Sequence, residues 1–214
     1  MIAYCGQTRD PKMNRILKEH GIGECTVRGE LKSRKRDPWF YDNGAYRDWQ
    51  AGAAFNGLQF HRDCRRMRIL LEASKGRPDF VVLPDKVMGG LESLAMSESF
   101  AVEAEGLPCY VAVQNGMTIA DVGLWIDRVT VEPELGPPIQ IAGIFVGGDT
   151  GWKIETSRSW VNFAHARGIR CHIGRVGTPD RVHWARSIGA DSIDSCLPIM
   201  FTEHLHPFLA AVAA

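Results

Sequence analysis

Short apolar runs alternate with helical segments along the whole chain, and this alternation constrains the fold more than any other feature. Seven runs are typical of buried parallel strands, and several of them are β-branched segments bounded by Gly or Pro. They are Ile2–Cys5, Trp39–Tyr41, Phe80–Leu83, Cys109–Gln114, Ile141–Val146, Arg170–Ile173 and Ser192–Cys196. A strand followed by a helix, repeated six or seven times, predicts a parallel sheet.

Amphipathic segments separate these runs. The longest extends from about Ala51 to Ser74 and carries apolar residues at helical spacing. The other predicted helices are Pro11–His20, Glu92–Glu105, Thr118–Arg128, Lys153–Arg167 and Pro179–Ile188.

Two architectures fit this order of elements: a β/α barrel and a doubly wound open sheet. The first strand is not followed by a GxGxxG motif, which disfavours a dinucleotide-binding sheet. We therefore predict an α/β fold, a compact (β/α) barrel of the TIM type in one domain covering 1–214. With 214 residues the chain is near the lower size limit of about 200 for that fold, so the barrel is expected to be reduced or irregular.

Charge and cysteine content narrow the functional class. The net charge is zero, yet residues 1–80 hold 16 Lys and Arg against 10 Asp and Glu, which is compatible with one basic face. The six cysteines lie far apart, without the spacing of a zinc site, so no metal and no cofactor is expected. The N-terminal segment has no apolar signal core and no run is long enough to cross a membrane, so a cytoplasmic protein is expected.

The predicted strand ends carry the candidate chemistry, because functional residues of such barrels lie at the carboxyl ends of the strands. Asp42 and Asp85 follow two strands, and Asp194 lies within the last one. A single Asp beside a turn is ordinary loop chemistry. Three carboxylates that converge on one rim repel each other, so they favour a catalytic role in which one is the nucleophile and another the acid or base.

The remaining strand ends suit a flat, NH-rich ligand. Gly147-Gly148 lets the backbone approach a planar molecule closely, and Gln114 offers an amide. A guanine-type base presents N1–H and an exocyclic amine to a carboxylate and O6 to an amide. This chemistry points to a guanine-like base beside a carboxylate nucleophile.

These segments resemble motifs of the tRNA-guanine transglycosylases, β/α-barrel enzymes that exchange guanine for a 7-deazaguanine base. The resemblance covers about residues 39–200, in the family's order. It is carried by Tyr41-Asp42-Asn43-Gly44-Ala45-Tyr46, the segment from Pro78 to Asp85, Val113-Gln114-Asn115-Gly116, Gly147-Gly148, Gly174-Arg175-Val176-Gly177-Thr178-Pro179-Asp180 and Gly189-Ala190-Asp191-Ser192-Ile193-Asp194-Ser195-Cys196-Leu197-Pro198.

The resemblance implies a role for each matched residue. Asp194 falls on the nucleophile and Asp42 on the general base. Tyr46 falls on an aromatic that stacks on the base. The residues implied in reading the base are Asp85, Gln114, Gly147 and Gly148. Asp149 stands where the family has an apolar residue, and it joins the candidate base-binding residues.

The sequence departs from the family's tRNA enzymes in a feature that bears on the choice of nucleic-acid substrate. The family's tRNA enzymes carry a zinc subdomain after the nucleophile, and no such motif occurs here. The chain is thereby most similar to phage and bacterial DNA-guanine transglycosylases, in a short, phage-type form. The expected partners are duplex DNA with a flipped guanine and a 7-deazaguanine base such as 7-cyano-7-deazaguanine, without a membrane and in an undetermined oligomeric state.

Phosphate contacts are expected from cations near the predicted rim, because the phosphate backbone dominates affinity for DNA. The candidates are Lys32, Arg34, Lys35, Arg36 and Arg175. Three rival functions remain open: a minimal zinc-free tRNA-guanine transglycosylase, a non-catalytic nucleic-acid-binding subunit of a transglycosylase, and a barrel isomerase that binds phosphate at Gly174–Gly177.

Overall fold

The computed structural model describes residues 1–73, 76–131 and 139–214. Eight parallel strands pair in chain order, and the last pairs with the first to close a barrel. The strands are β1 (Ile2–Gly6), β2 (Gly23–Val27), β3 (Trp39–Asp42), β4 (Val81–Val82), β5 (Cys109–Val113), β6 (Ile141–Val146), β7 (Arg170–Ile173) and β8 (Ser192–Ser195). The predicted (β/α) barrel is confirmed.

Helices surround the strands. They are α1 (Pro11–Glu19), α2 (Ala45–Gln50), α3 (Gly57–Glu72), α4 (Glu92–Ala101), α5 (Ile119–Val131), α6 (Thr150–Ala166), α7 (Pro179–Ser187), α8 (Leu197–Met200) and α9 (Leu205–Ala213). The helix predicted from Ala51 is wrong at its start, because Asn56 caps α3 by accepting a hydrogen bond from Gln59 N. Its predicted end at Ser74 lies outside the described residues.

Strand β2 was missed because its sequence, Gly-Glu-Cys-Thr-Val, lacks an apolar run. Glu24 is nevertheless fully buried, as its carboxylate is paired with Arg36 and accepts hydrogen bonds from Lys35 N. The segment that supplies these partners connects β2 to β3. It contains only a short 3-10 helix, Leu31–Ser33, over a stretch that the structure describes throughout. The β2–β3 connection is therefore fixed to the barrel by the buried Arg36–Glu24 ion pair, in a position where other strands are followed by an α-helix.

Aromatic side chains fill the barrel interior below the rim. Phe80 stacks on Phe40 at 4.5 Å and on Tyr110 at 3.9 Å between ring centroids. Opposite Tyr110, a Cβ on Gly143 would lie 2.4 Å from the Tyr110 ring, so only glycine leaves room for that ring. The candidate residues lie above these stacked rings, at inward-facing positions at the carboxyl ends of the strands.

Candidate active site at the carboxyl end of the barrel

Asp194 is held at the rim by two donors to the same oxygen. The side chain points inward from β8 and is 12% exposed. His172 Nε2 lies 2.9 Å from Asp194 Oδ1, and the backbone N–H of Arg175 donates to that oxygen over 3.3 Å. Among the described residues, no donor is bonded to Oδ2. One oxygen is therefore fixed by the protein, and the other is left for a ligand.

His172 is a candidate functional residue that the sequence analysis did not single out. It lies one strand from Asp194, is fully buried, and stacks on Phe145 with 4.8 Å between ring centroids. Burial lowers the pKa of His172, against the raising effect of its hydrogen bond to Asp194. A neutral imidazole can donate Nε2–H to Asp194 while Nδ1 accepts from the Ser192 hydroxyl, 2.9 Å away. Its inward position on β7 was the available signal.

Asp42 points inward at the end of β3 and is the second carboxylate of the rim. Its Oδ1 accepts a 2.7 Å hydrogen bond from Gly44 N. The pKa of Asp42 is raised to about 6, chiefly by burial and also by the charges of Asp194 and Asp85, against the lowering effect of the Gly44 hydrogen bond. The charges of both other predicted carboxylates therefore reach Asp42.

Asp85 is the third carboxylate and is oriented by Asn43. The amide of Asn43 donates to Asp85 Oδ1 over 2.8 Å and to the Leu83 carbonyl over 2.7 Å. Burial raises the pKa of Asp85, and the Asn43 hydrogen bond lowers it. Asn43 therefore fixes the orientation of a candidate base-binding carboxylate.

Gln114 is buried, and its amide is fully engaged by the loop that follows β4. Its Oε1 accepts from Met88 N over 2.7 Å, while Nε2 donates to the Lys86 carbonyl and to Ser93 Oγ. Both amide hydrogens are therefore used within the protein. Gln114 positions this loop at the rim, and an additional contact of its amide hydrogens with a base would require the loop to move.

The paired glycines lie at the end of β6. Gly148 has a φ of 73°. A Cβ there would lie 2.7 Å from Asn115 Oδ1 and 2.8 Å from the Trp152 ring, so the position demands glycine. Gly147 N donates to the Val113 carbonyl over 2.8 Å, so this amide is not directed at a ligand.

Both carboxylate oxygens of Asp149 accept hydrogen bonds from within the protein. Its side chain caps α6 by accepting from Trp152 N over 2.9 Å, and its other oxygen accepts from the Asn115 amide over 2.5 Å. These hydrogen bonds lower the pKa of Asp149. Both oxygens are thereby engaged in fixing the β6–α6 turn, and the expected contact of Asp149 with a base receives no support.

Arg175 crosses the mouth of the barrel. Its guanidinium donates to the carbonyl of Gly148, and its Cζ lies 5.1 Å from the centroid of the Tyr46 ring. Tyr46 is 44% exposed and also stacks on Trp49. Two predicted base-binding positions from opposite sides of the rim are thus bridged by one arginine.

Lys153 is a second cation at this edge and, unlike Arg175, it is buried. Its ammonium group donates to the Gly174 carbonyl over 2.5 Å. Burial lowers the pKa of Lys153 to about 8, as do the charges of Arg175 and Arg181, while Asp194 raises it. The Gly174 carbonyl and the Arg175 N–H belong to the same peptide group. By holding that carbonyl, Lys153 helps to direct the N–H at Asp194.

The predicted phosphate-binding cations separate into two groups. Lys32 and Lys35 are exposed on the β2–β3 connection, and half-buried Arg34 pairs with Asp37. Arg36 is 1% exposed and donates to the carbonyls of Cys5 and Gly6 in addition to pairing with Glu24. Arg36 is therefore a structural residue, and its prediction as a phosphate ligand is corrected.

Within the described ranges, no group of three or more His, Cys, Asp or Glu side chains is arranged to hold a metal ion. Within the same residues, no helix is both long and apolar enough to cross a membrane. Comparison of the chain with known protein families and with curated proteins gives no match. The class supported at this point is a TIM-type barrel with a carboxylate cluster at the carboxyl ends of its strands.

Proposed function

We propose that this protein exchanges guanine in DNA for a 7-deazaguanine base through a covalent intermediate on Asp194. The observation that carries the proposal is the environment of Asp194. One carboxylate oxygen is held by His172 and by the Arg175 amide, the other accepts no hydrogen bond from the described residues, and the charge of Asp194 acts on nearby Asp42. A buried, oriented carboxylate beside a second carboxyl group is the arrangement used for covalent glycosyl transfer.

The first half-reaction releases guanine. A deoxyguanosine is flipped out of the duplex so that C1′ can approach Asp194. Oδ2 of Asp194 forms a bond to C1′ as the bond between C1′ and N9 breaks. The electron pair of that bond leaves with guanine, whose N9 takes a proton from the neutral form of Asp42. A glycosyl ester on Asp194 and free guanine result.

The second half-reaction inserts the new base. A 7-deazaguanine such as 7-cyano-7-deazaguanine enters, and the Asp42 carboxylate removes its N9 proton. N9 then attacks C1′, and the ester electron pair returns to Asp194. The pKa of about 6 at Asp42 supports this double role, because proton transfer is most efficient when the pKa of the group is near the working pH.

Recognition of the base is assigned to fewer groups than the sequence suggested. Asp85, oriented by Asn43, can accept N–H groups from the edge of a guanine-type base. Tyr46 offers an exposed ring for stacking, and the carbonyl of Gly148 offers an acceptor. Gln114 and Asp149 act by holding the loops that carry these groups.

Transfer of labelled guanine tests the proposal. The purified protein is incubated with labelled guanine and either duplex DNA or unmodified tRNA. Label in DNA supports DNA base exchange, whereas label in tRNA alone would indicate a minimal tRNA enzyme. Binding to DNA without transfer of label to either substrate would favour a non-catalytic subunit and contradict the proposal.

A further inference from the structure

The guanidinium of Arg175 occupies a place with the chemistry of a base site. It lies over the ring of Tyr46 and donates to the carbonyl of Gly148. A guanidinium is planar and rich in N–H donors, as is the edge of guanine that bears N1–H and the exocyclic amine. The two groups would therefore use the same stacking surface and the same acceptor.

The backbone of Arg175 keeps this side chain at the mouth. Its φ of 60° is unusual for a residue other than glycine. The conformation is supported by the Arg175 amide donating to Asp194 and by Lys153 donating to the preceding carbonyl of Gly174. The main chain of Arg175 is thus fixed at the nucleophile, whereas its exposed side chain can turn away.

Both contacts of the side chain are of a kind that an anion can replace. Cation–π contacts at exposed positions contribute modestly to stability, and a charge-assisted hydrogen bond to phosphate is stronger than a bond to a neutral carbonyl. Lys153 and Arg181 contribute further positive charge at this edge. A phosphodiester that arrives here would be attracted by the whole group.

We infer that Arg175 determines when a base can enter: its guanidinium fills the Tyr46–Gly148 site in the free protein and moves to a DNA phosphate on binding. This inference rests on the proposed function and deepens it. It makes base binding conditional on DNA, because the phosphate removes the side chain that competes with the base. Free guanine should then bind weakly to the protein alone and more tightly in the presence of DNA.

Equilibrium binding of guanine tests this coupling. Affinity is measured for the wild type, Arg175→Gln and Arg175→Lys, each alone and with a duplex that contains one abasic site. That duplex supplies phosphates without occupying the base site. Arg158→Gln on α6 is the matched control, because it removes the same charge from an exposed helical position. Thermal unfolding of each variant verifies the fold.

The inference predicts that Arg175→Gln binds guanine about tenfold more tightly than the wild type in the absence of DNA. The abasic duplex should strengthen guanine binding to the wild type and to Arg158→Gln, but change little for Arg175→Gln. Arg175→Lys should resemble the glutamine variant without DNA, since lysine lacks the planar group.

Two results would overturn the inference while leaving the proposed function in place. Equal guanine affinity of wild type and Arg175→Gln would show that the side chain does not compete. Weaker binding by the variant would make Arg175 a direct base contact. Failure of every protein to bind guanine, with and without DNA, would contradict both the inference and the proposed function.

Discussion

His172 Nε2 lies 2.9 Å from Oδ1 of Asp194, and both side chains face the interior of the barrel from neighbouring strands. The imidazole is fully buried against Phe145, so it cannot turn towards solvent without breaking this packing. This relationship gives the carboxylate a fixed orientation. It also places the carboxylate beside an imidazole whose pKa is lowered by burial.

Replacement of His172 tests this orientation. His172→Phe keeps an aromatic ring but removes the donor to Asp194, so Oδ1 is no longer held by the imidazole. We expect transfer of guanine to fall by about 10- to 100-fold, the range typical when a group that orients a functional side chain is lost. His172→Gln, which retains a donor, should recover part of the rate.

A purely structural His172 would give a different result. The phenylalanine and glutamine variants would then lose activity only as far as they lose stability, and the donor of glutamine would restore nothing. Thermal unfolding measured beside the rate distinguishes the two outcomes.

Asp42 gives a prediction about pH and stability together. Its folded-state pKa of about 6 is above the ordinary value near 3.9, so the folded protein holds this proton more tightly than the unfolded chain. The stabilising contribution of the protonated group is present below the unfolded pKa and is lost as the pH rises towards 6. Asp42→Asn should therefore stabilise the fold at pH 7, by about 1–3 kcal/mol.

The same substitution should impair catalysis. Asparagine cannot accept the N9 proton, so completion of exchange should fail in Asp42→Asn although the fold is more stable. Urea unfolding at pH 4 and pH 7 measures the stability difference, which should shrink at pH 4. A variant less stable than the wild type at pH 7 would contradict the electrostatic explanation.

Gln114 provides a test of the loop at the rim. Gln114→Ala leaves Met88 N and the Lys86 carbonyl without their amide partner, which should destabilise the fold by about 1–3 kcal/mol. Hydrogen exchange should increase at residues 86–93, because this amide holds the loop. If exchange there were unchanged while base binding was lost, Gln114 would be a direct ligand of the base instead.

In the β2–β3 connection, substitution of the buried cation and substitution of the exposed cations should have different effects. Arg36→Met leaves Glu24 as an uncompensated buried charge and should lower the free energy of unfolding by about 3–5 kcal/mol, which urea unfolding measures.

Lys32→Ala with Lys35→Ala should leave stability unchanged, since both side chains are exposed. If these lysines contact phosphate, their removal should weaken DNA binding irrespective of sequence. The slope of log K for DNA binding against log salt concentration should become shallower by about 1.8. Salt titrations of DNA binding measure the slope. An unchanged slope would remove this loop from the DNA interface.

The sequence predicted the barrel well because strand periodicity reports burial directly. It failed at β2, where Glu24 is buried through an ion pair with Arg36 that is distant in sequence. It placed Asp42, Asp85 and Asp194 at one rim, because strand ends of a parallel barrel must meet there. It could not show the hydrogen bonds that occupy Gln114 and Asp149, since these depend on neighbouring loops. The role of His172 required its position in three dimensions.

Trapping of the covalent intermediate tests the role of Asp194 most directly. Wild type, Asp42→Asn and Asp194→Asn are incubated with guanine-containing duplex DNA, denatured, and separated, and any adduct is mapped by mass spectrometry. We predict an adduct on the peptide that contains Asp194 in the wild type, an adduct that forms more slowly but persists longer in Asp42→Asn, and none in Asp194→Asn. An adduct at another residue, or undiminished exchange of guanine by Asp194→Asn, would contradict the assignment of the nucleophile.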